Sequence, residues 1–138
     1  MKPINTLITI LFISLLSSPS WSVTIGDLVK RDDLYYEKFT DVPYTGKVTG
    51  SEQGAFKGGK KEGAWIEYYE NGQLKEKRNY KSGKRDGVWV FYSENGQLRE
   101  KGNYKNGKKE GAWYTYNIDG TVRQHATGTY KNGVKISD

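Results

Sequence analysis

The sequence repeats itself with a period of about 24 residues, and this repetition restricts its possible folds more than any other feature. Three segments align, at residues 63–86, at residues 87–110 and from residue 111 onward. They share glycine, aromatic and aliphatic positions, namely Gly63, Trp65, Tyr68, Gly72, Leu74, Tyr80, Gly87, Trp89, Tyr92, Gly96, Leu98, Tyr104, Gly111, Trp113, Tyr116, Gly120, Val122 and Tyr130. The regularity predicts a chain built from stacked copies of one small unit.

A further, less regular unit precedes these three. Residues 54–62 match the tail of a unit, because Phe56 precedes Tyr80 by one full period, and residues 32–50 resemble its divergent first half. The chain therefore contains about four units. We predict a divergent N-terminal hairpin, a repeat domain and a short tail, at residues 23–50, 51–134 and 135–138.

The last unit is longer than the others. In the first two units the second-strand tyrosine lies at the same distance from the opening glycine, as Tyr80 does from Gly63. Tyr130 lies two positions farther from its own opening residue, Gly111. We predict a two-residue insertion near residues 125–127. A terminal unit that departs from the repeat pattern is typical of a capping repeat.

Two turn signals alternate along the chain about every dozen residues. The first signal is a dipeptide typical of a type I′ turn, at Asn71-Gly72, Asn95-Gly96 and Asp119-Gly120. The second is a lysine-rich turn, at residues 81–84, 105–108 and 131–134. Short strands between such turns predict an all-β fold, an elongated antiparallel meander of stacked hairpins in a single sheet. The density of glycine, tyrosine and tryptophan disfavours helix.

Aromatic residues make up 14% of the chain, although hydrophobic residues as a whole make up only 35%. We therefore expect the repeated tryptophans and tyrosines to form a thin core. Trp65 and Tyr68 are three positions apart on one strand, so regular alternation would point their side chains to opposite faces of the sheet. Two alternatives follow: a bulge at the opening glycine separates them, or both faces of the sheet carry aromatic rings.

The first 22 residues are typical of a secretory signal peptide. Lys2 precedes an apolar run at residues 7–16, which is too short to span a bilayer. Small residues follow, so we place the cleavage after Ser22, with Ser20 as the second choice. The alternative is an uncleaved anchor. Cleavage predicts an exported protein, in the periplasm or outside the cell.

The repeat pattern resembles a known family. The order G-x-W-x-x-Y, then N-G-Q-L, then Y-K-x-G-K is similar to the MORN (membrane occupation and recognition nexus) repeat, in particular to its variant in small bacterial exported or antitoxin-like proteins. The resemblance covers residues 46–134. It departs from the pattern in the stretched last unit, which has Val134 in place of lysine, and at residues 43–47. The resemblance implies a sheet of stacked hairpins that binds or scaffolds, sometimes in association with lipid, and no catalysis.

Positive charge is concentrated in the lysine-rich turns. Each cluster carries a net charge of +2, and because the clusters share one phase of the repeat they should line one edge of the sheet. The candidate basic binding edge consists of Lys57, Lys60, Lys61, Lys81, Lys84, Arg85, Lys105, Lys108 and Lys109. It could attract an acidic partner. The alternative is that these lysines only keep the turns soluble and the sheet edges unpaired.

The sequence contains little that supports an enzyme. The chain has no cysteine, which excludes a disulfide framework and thiol chemistry. Its one histidine, His125, lies in the insertion and is interpreted as an exposed loop residue. Glu67 and Glu76 could face each other across a hairpin, but Phe91 replaces Glu67 in the next unit. We expect no catalytic residue, no metal and no cofactor.

Three hypotheses on function follow from these features. The first is an exported binding module for a protein or an acidic envelope polymer, acting through one sheet face and the basic edge. The second is a peripheral binder of anionic membrane lipid. The third is an antitoxin-like neutralising partner. Nucleic acid is not an expected partner of an exported chain, and we expect a monomer.

Overall fold

The computed structural model describes residues 22–138 of the 138-residue chain. The predicted signal peptide therefore lies outside the described residues, apart from Ser22. Within the described part, no helix has the length and apolar character needed to cross a membrane. The elements are a 3-10 turn at Ile25–Asp27 and strands β1 Leu28–Arg31, β2 Leu34–Glu37, β3 Gly46–Val48, β4 Glu52–Lys57, β5 Lys60–Tyr68, β6 Leu74–Lys81, β7 Lys84–Tyr92, β8 Leu98–Lys105, β9 Lys108–Thr115, β10 Gly128–Lys131 and β11 Val134–Ser137.

The predicted antiparallel meander is confirmed. Strands β3 to β11 form one open nine-stranded sheet in which every strand pairs with its neighbours in the sequence. Strands β1 and β2 form a separate two-stranded hairpin, which we call the N-terminal hairpin. Most of the connections are short turns, which pair each strand with its neighbour in the chain, and β9 and β10 pair across a longer connection at residues 116–127.

The two edges of the sheet use different turns, and one sequence expectation about them was wrong. At the lysine-rich edge both central residues have positive φ, for example Asn106 at 51° and Gly107 at 82°, which is the type I′ geometry. At the Asn-Gly edge only the glycine does, for example Gly72 at 80°. There the N–H of Gly72 bonds the carbonyl of Tyr69, and the side chain of Asn71 accepts the N–H of Gln73. The asparagine thus closes a three-residue loop instead of a type I′ turn.

The register of strand pairing shifts at two positions of the repeat. The pairing of β5 with β6 shifts between Glu67 and Tyr68, and the pairing of β7 with β8 shifts at the equivalent place, between Phe91 and Tyr92. The register also shifts across the opening glycines, in the pairings of β4 with β5, β6 with β7 and β8 with β9, so a bulge is present at that position. It precedes both Trp65 and Tyr68, and therefore it does not place their side chains on one face.

The core lies on one face of the sheet, which we call the tryptophan face. Trp65 and Trp113 are fully buried and Trp89 is 9% exposed. Most neighbouring rings meet edge to face, with centroids 5.0 Å apart for Phe56 and Trp65 and 6.3 Å apart for Trp113 and Tyr130, whereas Trp89 and Phe91 are stacked. The expectation that the tryptophans form the core is confirmed. Edge-to-face contact is a favoured arrangement for aromatic pairs.

The N-terminal hairpin covers one end of this face. Leu28 of β1 joins Val48, Phe56 and Trp65 in one buried cluster, and Tyr35 of β2 packs against it. The sheet alone leaves each face open, so its first unit needs this cover to bury its aromatic rings.

The insertion in the last unit is a surface turn. After an isolated bridge between Tyr116 and Val122, the chain turns through residues 123–127 before β10 begins at Gly128. His125 is exposed there, as the sequence predicted. The turn closes over the end of β9, because the N–H of Thr115 bonds the side chain of Thr127.

Candidate functional site

Three of the nine predicted edge residues point onto the tryptophan face and not to solvent. Lys61 lies with its ammonium 4.0 Å from the centre of the Trp65 ring, and Lys109 lies at the same distance from Trp113. Arg85 occupies the equivalent position in the middle unit, 5.8 Å from the Trp89 ring. All three are half-buried. A cation over an aromatic face is attracted by the ring's quadrupole, so these residues cover the core.

A carboxylate from the preceding strand neutralises each of these cations. Lys61 pairs with Glu52, and the equivalent pairs are Arg85 with Glu76 at 3.5 Å and Lys109 with Glu100 at 4.0 Å. The three glutamates are themselves separated by one repeat period. The repeat unit therefore contains a built-in ion pair, which removes Lys61, Arg85 and Lys109 from the charge that a partner would meet.

The other six candidates form what we call the lysine edge. They are all exposed, and within residues 22–138 none of them forms an ion pair, namely Lys57, Lys60, Lys81, Lys84, Lys105 and Lys108. The structure thus places two lysines at each of three successive turns.

The backbone of the lysine edge is fixed by bonds between neighbouring turns. The carboxylate of Glu62 accepts the N–H of Ser82 at 2.7 Å, and that of Glu110 accepts the N–H of Asn132 at 2.8 Å. The carbonyl of Lys61 accepts the N–H of Gly83 at 2.9 Å. Each turn is therefore held against the next, and the spacing of the exposed lysines is set by the sheet.

An arginine–carboxylate cluster lies in the middle of the tryptophan face. Glu67 and Glu76 face each other across the β5–β6 pair, as the sequence allowed. Arg78 bridges them, with Nη2 2.9 Å from Glu67 and Nη1 2.6 Å from Glu76, and it also bonds Glu52 at 2.7 Å. Its side chain is only 10% exposed. We call these four residues the Arg78 cluster.

The Arg78 cluster is built for structure and not for hydrolysis. Burial raises the pKa of Glu67, but hydrogen bonds and charge from Lys75 and Arg78 outweigh it and hold that pKa below its ordinary value. The guanidinium occupies the space between the two carboxylates, where a pair acting on a glycosidic bond would need room for substrate.

Sequence reasoning missed Arg78, although a signal was present. Gly54, Arg78 and Gly102 occupy the same position of successive units, so an arginine replaces glycine at one repeat position. At the glycine positions the indole rings of Trp65 and Trp113 lie directly against the strand, where a Cβ would overlap them. The middle unit fills the same place with a charged side chain.

A cavity of about 470 Å³ opens where the N-terminal hairpin overhangs the lysine edge. Its lining includes Lys30 and Tyr35 from the hairpin, and Lys60, Tyr80 and Lys84 from the sheet. The sequence predicted Lys60 and Lys84 as edge residues but did not predict that the hairpin would enclose them. Among the described residues no group of histidine, cysteine or acidic side chains could hold a metal ion.

Fold and site together define a repeat module whose nine-stranded sheet has one packed face and one edge of exposed charge. Residues 61–82 and 85–106 match the model of the MORN repeat variant, the family that the sequence pattern resembles. No curated protein matches the chain at a significant level. Repeats of this kind generally form binding modules and not enzymes.

Proposed function

We propose that this protein is an exported binding module whose lysine edge holds an acidic partner, either a protein or a polymer of the cell envelope. The observation that supports the proposal is that the basic residues of the predicted edge fall into two groups. Three cations, such as Lys61, are neutralised on the tryptophan face, while the six lysines of the lysine edge have no carboxylate partner among the described residues.

The spacing of the lysine edge favours an extended partner. Neighbouring hairpins of a sheet are about 10 Å apart, which is comparable to the Debye length at physiological ionic strength. Each exposed lysine pair contributes little alone, because a surface ion pair is worth at most about 1 kcal/mol. A partner with repeated negative charge would contact several turns at once and bind more strongly.

Export is supported by the sequence of the first 22 residues, with Lys2 before an apolar run. Outside the cytoplasm, acidic envelope polymers and acidic proteins are accessible partners. An anionic membrane surface offers the same charge, and the experiment below distinguishes it from a polymer.

Binding of the full-length protein, expressed with its N-terminal segment, tests the proposal. The probes are polygalacturonate, polyglutamate, anionic vesicles and neutral vesicles, each at low and at physiological salt. The test variant carries Lys60→Glu, Lys84→Glu and Lys108→Glu. The control variant carries Lys47→Glu, Lys77→Glu and Lys101→Glu, which changes the net charge equally at exposed positions away from the turns.

We expect an acidic polymer to bind, and the test variant to lose at least ten-fold more affinity than the control. Binding confined to anionic vesicles would replace the polymer with a membrane surface. Equal losses in the two variants would contradict the lysine edge, since net charge alone would then explain binding. Absence of binding to every acidic probe at low salt would overturn the proposal.

A further inference from the structure

The cavity beneath the N-terminal hairpin is a discrete feature of the lysine edge. It lies beside two successive lysine turns, and the hairpin provides its third wall. Its volume of about 470 Å³ is within the range of small-molecule sites, about 300–1,000 Å³. Among the described residues, no second hairpin stands over the later turns at 105–108 and 131–134. The first part of the edge is therefore different in shape from the rest.

Backbone bonds fix the hairpin in place over the turn. The N–H of Tyr35 donates to the carbonyl of Gly59 at 2.8 Å, and the N–H of Gly59 donates to the carbonyl of Tyr44 at 2.8 Å. Gly59 has a φ of 76°, and a Cβ there would lie 2.9 Å from the Cβ of Leu34. Only glycine permits this approach, so the cavity is part of the folded structure.

The lining of the cavity is cationic. Four lysines line it against the single carboxylate of Asp33. Lys61 is neutralised by Glu52, and Lys30 is paired with Asp33 at 2.8 Å. The hydrogen bond and charge of that pair raise the pKa of Lys30 and lower the pKa of Asp33, so both remain ionised at neutral pH.

Two cations are left for a ligand. Lys60 and Lys84 are exposed and lack an ion-pair partner within residues 22–138. The Cβ of Lys60 lies 3.6 Å from the point where a Cβ of Gly83 would be, so Lys60 packs beside the turn that carries Lys84. Ammonium groups of this kind bind carboxylate or phosphate oxygens.

Tyrosine forms the remaining part of the wall. Tyr35 is held by its contact with Phe56, at 4.8 Å between ring centres, and Tyr80 by its contact with Trp65, at 6.1 Å. Both line the cavity and both are half-buried. An aromatic ring offers an apolar surface with a polar end, which matches a sugar ring with its apolar C–H groups and its hydroxyls.

We propose that this cavity is a binding site for an acidic saccharide, a sugar unit that carries a carboxylate or a phosphate. Lys60 and Lys84 bind its anionic group, and Tyr35 and Tyr80 pack against its ring. The inference rests on the proposed function, because it identifies the first part of the lysine edge as the place where an acidic polymer is recognised in detail.

Calorimetry and ligand-observed NMR on the full-length protein test this site. The probes are trigalacturonate, glucose 6-phosphate, neutral maltotriose and inorganic phosphate. The cavity variant carries Lys60→Glu and Lys84→Glu, and the matched control carries Lys105→Glu and Lys108→Glu, which lie at the lysine edge outside the cavity. A third variant, Asp33→Asn, removes the competing carboxylate. Circular dichroism verifies that each variant is folded.

We expect one or both acidic sugars to bind more tightly than maltotriose and phosphate. The cavity variant should lose at least ten-fold in affinity, the control less than two-fold, and Asp33→Asn should bind two-fold or more tightly. Equal losses in the cavity and control variants would overturn the site but preserve the lysine edge. Phosphate binding as tight as sugar binding, or no binding of either acidic sugar, would also overturn the site.

Discussion

The outer tryptophans and the middle tryptophan of this sheet are buried by different means. Trp65 and Trp113 lie against glycines, Gly54 and Gly102, and each has a lysine ammonium 4.0 Å from its ring. Trp89 instead has Arg78 at the corresponding position of its preceding strand, and its indole N–H donates to Glu76. Its covering cation, Arg85, stands farther away, at 5.8 Å from the ring.

The difference shows that the same repeat position can be occupied either by glycine or by a charged arginine. Glycine leaves room for an indole ring and stabilises by apolar burial, whereas Arg78 fills the room and needs carboxylates from three places to compensate its charge. Each glycine contact involves only two adjacent strands, β4 with β5 or β8 with β9. The arginine solution links β4, β5 and β6, because Glu52, Glu67 and Glu76 lie on different strands.

The largest effect should come from removing the arginine. Arg78→Ala removes the guanidinium that bridges three carboxylates, each of which keeps one other cation, Lys61, Lys75 or Arg85. We expect a loss of about 3 kcal/mol in the free energy of unfolding, because several charge-assisted hydrogen bonds of a half-buried group are lost. Urea unfolding followed by tryptophan fluorescence measures it. Lys77→Ala, an exposed neighbour, should change stability by less than about 0.5 kcal/mol. A loss below about 1 kcal/mol for Arg78→Ala would show that the cluster is not structural.

Adding a methyl group at an outer unit should have the next largest effect. In Gly102→Ala the new Cβ would overlap the ring of Trp113, so the ring or the strand must move. We expect a loss of about 1–3 kcal/mol, measured by thermal unfolding. Gly26→Ala is the control, because its Cβ would make an ordinary contact of 3.6 Å. Similar stabilities for the two variants would contradict the close contact of ring and strand.

The smallest effect concerns the pH dependence of the middle unit. Since the pKa of Glu67 is lowered in the folded state, its contribution is present above its ordinary value of 4.5 and is lost as the pH falls through the folded-state pKa. We expect Glu67→Gln to make the free energy of unfolding depend less steeply on pH below that value. The exposed Glu70→Gln should keep the slope of the unaltered protein. A slope unchanged by Glu67→Gln would argue against its pairing with Arg78.

Much of the fold could be predicted from sequence because each hairpin is local. The regular repeat period, the two alternating turns and the tryptophan positions were sufficient to predict an antiparallel meander with an aromatic core. The type of turn was not predictable from the Asn-Gly dipeptide alone. The same dipeptide fits a two-residue and a three-residue loop, and the bulge after Glu67 decides between them.

The candidate site was less predictable. Lys60 and Lys61 are neighbours in one turn cluster, yet Lys60 is exposed and Lys61 covers Trp65. Because Lys60 and Lys61 are consecutive in β5, the sequence alone predicts that their side chains point in opposite directions. The carboxylate that neutralises Lys61 was harder to identify, because Glu52 lies on the preceding strand and beyond a shift in register.

The sequence by itself determined the repeat unit, its two turns, the order of the strands and the residues that form the core. Only the tertiary structure decided which cations are neutralised and which remain free, how Arg78 replaces a glycine, and where the N-terminal hairpin encloses a cavity with Lys60 and Lys84. The physical reason is the range of the interactions. Turns and strand alternation depend on a few consecutive residues, whereas ion pairs and cavities depend on side chains that meet only when separate hairpins pack together.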